Sequence, residues 1–154
     1  MKRLLFVALM PLLALSLSAQ KWTVSNEKAD DGEHYYISYE YVTPSGMVTI
    51  YEGDLSLLMF DRFDGPLADE RNTILHFGKR GYTVKAVLFD KQENPKATLD
   101  LWLWKLDDLK AGGETTSQKN SVRRIINHLR YNEGPVMLYF PKTDYAFLLN
   151  PMMP

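Results

Sequence analysis

The stretch Tyr35–Gly53, YYISYEYVTPSGMVTIYEG, decides the fold. Tyr35, Ile37, Tyr39 and Tyr41 fall on one side of a period of two, with Tyr36, Ser38 and Glu40 on the other. That is the spacing of a pleated strand, whose successive side chains point to opposite faces. Aromatic and β-branched residues suit such a surface. Thr43-Pro44-Ser45-Gly46 is turn chemistry: proline fixes its own backbone and glycine is free to go left-handed. Met47 to Tyr51 resumes as a strand, and Glu52-Gly53-Asp54 turns the chain again.

Working outward, the same signals recur. Trp22 to Ser25 opens the sheet, and Lys28 to Glu33 is a polar turn. Leu55 to Phe60 reads as a strand because a glycine turn precedes it. Asp61 to Asn72 is irregular. Thr73 to Phe77 and Tyr82 to Phe89 form a further pair of strands around Gly78–Gly81, and Gln92 to Pro95 breaks the connection after them. Lys96 to Leu106 is the densest apolar strand. It carries Leu99, Leu101 and Leu103 on one face and Asp100, Trp102 and Trp104 on the other.

The period then changes. Val122, Ile125, Ile126 and Leu129 fall at i, i+3, i+4 and i+7, which predicts an amphipathic helix over 120–131. Ser117 or Asn120 is placed to cap it, and Gly134-Pro135 to stop it. Val136–Phe140 and Tyr145–Leu149 read as a closing hairpin. About eight strands and one helix point to a mainly β domain, an antiparallel sandwich or open barrel. The alternative is an α+β sheet with the helix across one face.

The first residues, MKRLLFVALMPLLALSLSAQ, have the three parts of a secretory signal: the charges of Lys2 and Arg3, the apolar run Leu4–Leu15, and small residues up to Ala19. The run is shorter than the roughly 20 residues a membrane-spanning helix needs. Residues 1–19 are therefore expected to be removed, leaving 20–154 as a single domain with no membrane span. The chain has no cysteine, so it folds by burial alone and has no site for lipid attachment at a cysteine. This suits the bacterial periplasm or exterior. Without the leader, sixteen basic residues face nineteen acidic ones, a net charge of −3. Such a chain has no general attraction for nucleic acid. The basic cluster Arg123, Arg124, His128 and Arg130 reads as the solvated face of the helix.

No catalytic group stands out. Ser45 sits in a tight turn without the glycine pair of a nucleophile elbow. His34, His76 and His128 lie on separate elements and lack the paired spacing of a zinc site. The acid pairs Asp61 with Asp64, Asp69 with Glu70, and Asp107 with Asp108 lie in loops or at element ends, where solvated carboxylates are common. Gly112-Gly113 lacks the lysine that follows a phosphate loop. No cofactor or metal is expected.

The best lead is the face carrying Asp100, Trp102 and Trp104. The two indoles lie about 7 Å apart along their strand and, exposed, would stack sugar rings. Strands with large apolar residues on both faces are usually covered on both, so the tryptophan face is expected to lie under the helix. Asp100 speaks for ligand binding, because a buried face rarely carries an unpaired acid. The reading that results is an exported, non-catalytic module binding a protein or a saccharide. The alternatives are a small hydrolase of saccharide or cell-wall material, and a structural subunit that pairs through a strand edge.

Overall fold

A computed structural model describes residues 22–28, 31–33, 35–43, 46–54, 56–61, 82–105, 109–113, 115–143 and 145–153, the side chains of Asp61, Trp104 and Lys105 excepted. The leader at 1–19, the strand expected at Thr73–Phe77, Ser45, His34, His76, Asp64, Asp69, Glu70, Asp107 and Asp108 lie outside the described residues. Among those described are nine strands: β1 (Trp22–Lys28), β2 (Tyr35–Thr43), β3 (Gly46–Gly53), β4 (Leu57–Asp61), β5 (Thr83–Phe89), β6 (Pro95–Lys105), β7 (Lys110–Ala111), β8 (Val136–Tyr139) and β9 (Ala146–Leu149). Helix α1 spans Thr116–Arg130.

The strands form one antiparallel sheet in the order β1-β2-β3-β4-β7-β6-β5-β8-β9, curled into an open half-barrel. The mainly β reading with one helix holds, and the open-barrel version of it is the one adopted. The expected alternation in β2 also holds. Tyr39 and Tyr41 are buried on the concave side with Val48 and Ile50 of β3 and Leu58 and Phe60 of β4. Curling brings the two ends of the sheet together: the Trp22 indole N–H donates to the Asn150 carbonyl at 2.7 Å. Asn150 Nδ2 donates to the Tyr41 hydroxyl at 3.0 Å, and the Trp22 and Tyr41 rings lie 4.7 Å apart. Phe60, Phe140 and Phe147 fill the same hollow, with Phe60 4.9 Å from Phe140 and 5.9 Å from Phe147.

Helix α1 occupies the rest of the concavity. Val122, Ile125, Ile126 and Leu129 are fully buried, as their spacing predicts. Gly112, with a φ of +81°, lets the helix come close, since a Cβ there would stand 2.8 Å from the Val122 methyl. The ends of the helix differ from expectation. Its cap is Thr115, whose hydroxyl accepts from the Gln118 N–H at 3.1 Å, so it starts before Ser117 and Asn120. It ends at Tyr131 and Asn132, the latter left-handed with a φ of +56°. Asn tolerates that conformation and ends the helix before Gly134 is reached.

Candidate functional site

Strand β6 has one face under the helix and one outside. Its pairing with β5 runs Trp102 to Thr83, Leu101 to Val84 and Asp100 to Lys85. Leu101 and Leu103 are buried beneath α1, whereas Trp102 is 51% exposed. This corrects the expectation that the helix covers the tryptophan face. The helix lies in the concavity, and register places the leucines there, so Trp102 and Asp100 look out from the convex side. Asp100 is exposed and paired with Lys85 across the strands at 2.7 Å. Its partner is neither Arg123 nor Arg124. The Trp104 side chain lies outside the described residues. What the described residues present here is one open indole beside a surface ion pair, on a convex face.

A concave site exists on the other side of the same hairpin. A cleft of about 550 Å³ runs between α1 and the far end of β5 and β6. Asn120, Arg123, Arg124 and Asn127 form its helical wall, at i, i+3, i+4 and i+7. Leu88 of β5 and Ala97 of β6 make its apolar floor, and Lys96, Asp90 and Glu133 stand at its rim. Arg123 and Arg124 are exposed, and Arg123 Nη1 donates within its own helix to Asn120 Oδ1 at 2.8 Å. The balance of charge around the cleft is positive.

The other two members of the basic cluster are committed to the fold, which corrects their reading as a solvated face. His128 is buried, and its Nε2 lies 2.7 Å from the Phe89 carbonyl. A carbonyl only accepts, so that nitrogen carries the proton. Arg130 Nη2 donates to Glu52 Oε1 at 2.6 Å and to the Tyr39 hydroxyl at 2.7 Å. Tyr39 in turn donates to Glu52 at 2.8 Å. Burial raises the Tyr39 pKa, with help from the Glu52 carboxylate. For Arg130, burial works against the charge, but the Tyr39 hydroxyl and the Glu52 carboxylate outweigh it and raise its pKa. This triad ties the end of α1 to β2 and β3, away from the cleft.

Asp90 is not placed for proton transfer. Its Oδ1 accepts from the Gln92 and Asn94 N–H groups, each at 2.9 Å. Those bonds, that from Asn94 foremost, lower its pKa, so it is an anion that organises a turn. Among the described residues, no group of three or more His, Asp or Glu is gathered to hold a metal. None of their helices is long and apolar enough to cross a membrane.

Two determinants escaped the reading of the sequence. Thr115-x-x-Gln118 has the spacing of a capping box and would have set the start of the helix. Gln118 itself, buried at the first turn, reaches β6 instead of its own cap. Its Oε1 accepts from the Trp102 N–H at 2.7 Å and its Nε2 donates to the Asp100 carbonyl at 3.0 Å. No family model, curated protein or solved structure matches the chain.

Proposed function

We propose that this is an exported bacterial envelope protein that works as a non-catalytic binding module, and that the cleft between α1 and the β5–β6 hairpin holds an anionic ligand. One observation carries this reading: Arg123, Arg124 and Lys96 project around a concave, apolar-floored cleft, while Arg130 of the same helix is paired with Glu52. Guanidinium groups not engaged by a carboxylate suit the recognition of carboxylates and other planar anions. A hydrolase of the kind that pairs two carboxyls would need both cleft acids, and one of them, Asp90, is tied into its turn as the anion, leaving Glu133 alone. Export rests on the leader-like residues 1–19 and on the absence of cysteine. A second reading, a saccharide platform, has the exposed Trp102 in its favour.

Amide shift mapping tests these readings on one sample. Hexaglutamate is expected to perturb Lys96, Arg123 and Arg124, while a neutral oligosaccharide such as cellohexaose leaves them unmoved. Shifts centred on Trp102 with cellohexaose, and none in the cleft with hexaglutamate, would replace the first reading by the second. N-terminal sequencing of exported protein is expected to begin near Gln20. Intact protein retaining residues 1–15 in the membrane fraction would contradict export with cleavage.

A further inference from the structure

We propose that the edge of β6 beside this cleft takes an extended, acidic segment of a partner protein as an added strand. The inference rests on the reading of the cleft as a binding site and names what it binds.

Hydrogen bonding in an antiparallel pair turns alternate residues of a strand toward its neighbour. The Leu103 N–H donates to the Tyr82 carbonyl, so in register Leu99, Leu101 and Leu103 turn their backbones to β5. Thr98, Asp100 and Trp102 turn theirs the other way. Beyond β6 on that side lies β7, only two residues long, which pairs with Leu103 and Lys105. Past its end the Trp102 carbonyl accepts from the Gly112 N–H at 2.9 Å. The Gln118 amide then takes the Trp102 N–H and the Asp100 carbonyl. A planar amide that accepts from one residue and donates to the residue two before it does what a neighbouring strand would do. Gln118 thus supplies one rung of a missing strand, and the rungs after it are open among the described residues. The Asp100 N–H and both backbone groups of Thr98 have no partner among the described residues, and both residues are exposed. An open row of this kind is a template for another chain.

Charge selects the occupant. Lys96 stands at the open end of β6, and Arg123 and Arg124 border the cleft next to it. The nearest acid on β6, Asp100, is engaged by Lys85 on the opposite face. A segment bearing carboxylates on the side chains facing the helix would pair with those cations while its backbone extends the sheet. The three cations outweigh the rim acids Asp90 and Glu133, so a basic segment is disfavoured relative to an acidic one. The alternation of a strand fits this geometry: one set of side chains enters the cleft and the other faces solvent.

The test uses the ¹⁵N-labelled full chain and an end-blocked eight-residue peptide of alternating Glu and Val. Hydrogen exchange at the Thr98 and Asp100 amides is expected to slow at least tenfold on saturation. The same peptide N-methylated at alternate residues is expected to bind at least tenfold more weakly, because its backbone donors are gone. Thr98→Pro, which removes an outward N–H at an edge position where proline is tolerated, is expected to weaken binding similarly. The N-methylated peptide keeps the proposal falsifiable if that variant fails to fold. Equal binding of both peptides, or shifts at Arg123 and Arg124 with unchanged exchange at Thr98 and Asp100, would overturn strand addition and leave the cleft as an anion site. Binding of trigalacturonate without binding of the peptide would overturn the protein partner. No response of the cleft to any acidic probe would overturn the reading beneath it as well.

Discussion

The two halves of helix α1 carry the same kind of side chain to different ends. Toward its carboxy end, Arg130 is held by Glu52 and Tyr39 and His128 is bonded to Phe89. Toward its middle, Arg123 and Arg124 stand exposed on the wall of the cleft. All four read alike in the sequence, as basic residues off the apolar stripe. The difference lies in what the sheet offers opposite each one. At the carboxy end, β2 and β3 present a carboxylate and a phenol, so the cation is part of the fold. At the cleft, the hairpin of β5 and β6 presents an apolar floor, and Arg123 and Arg124 stand exposed, which is why we propose a ligand for them. Cations that hold the fold should cost stability when removed, and cations that serve a ligand should not.

The largest effect belongs to the apolar stripe common to both halves. Ile125→Ala should destabilise by about 2–5 kcal/mol, because it empties a fully buried site between helix and sheet. Denaturant unfolding measures it, and a loss no larger than that of a surface substitution would break the assignment of the helix face. Arg130→Met comes next, at about 1–3 kcal/mol, since it leaves Glu52 and Tyr39 without their cation in a partly buried place. A near-zero change would make Arg130 equivalent to Arg124 and erase the contrast. Gln118→Ala should cost about 1–2 kcal/mol by freeing the Trp102 N–H and the Asp100 carbonyl. Faster amide exchange at Trp102 would localise that loss.

A smaller effect concerns pH. Burial raises the Tyr41 pKa from its ordinary value of 10.0. A phenol whose pKa is higher in the folded state contributes stability that is complete below the unfolded value and is lost as pH rises through the folded one. Unfolding midpoints should therefore fall above about pH 10, and Tyr41→Phe should flatten part of that decline. An unchanged slope in the variant would assign the decline to other groups, Tyr39 first among them.

Much of the fold was legible because strand alternation and helical spacing are local properties. Tyr39 and Tyr41 share their buried face with Ile37, and Ile125 and Leu129 lie where a period of 3.6 puts them. The site was less legible because it depends on pairing at long range. Nothing within β6 says which of its faces the helix will choose. Large apolar residues on both faces of β6 led to the expectation that the helix covers the tryptophan face, yet the curl of the sheet put the leucines inside. The two residues of β7 are too few to show a period, and among the described residues their pairing stops at Leu103. The division of the basic cluster depends on Glu52, far away in sequence and adjacent only once β3 has paired. The start of the helix was missed, although the capping spacing of Thr115 and Gln118 is a local signal.

The contrast between the two halves of α1 is tested most directly by Arg123→Glu with Arg124→Glu, measured on one preparation for both stability and binding. Denaturant unfolding should move by less than about 0.5 kcal/mol, as for exposed positions without fold contacts. Titration with the Glu–Val peptide at low salt should show binding weakened at least tenfold. A loss of stability matching that of Arg130→Met, or a peptide affinity unchanged by the reversal of charge, would contradict the account.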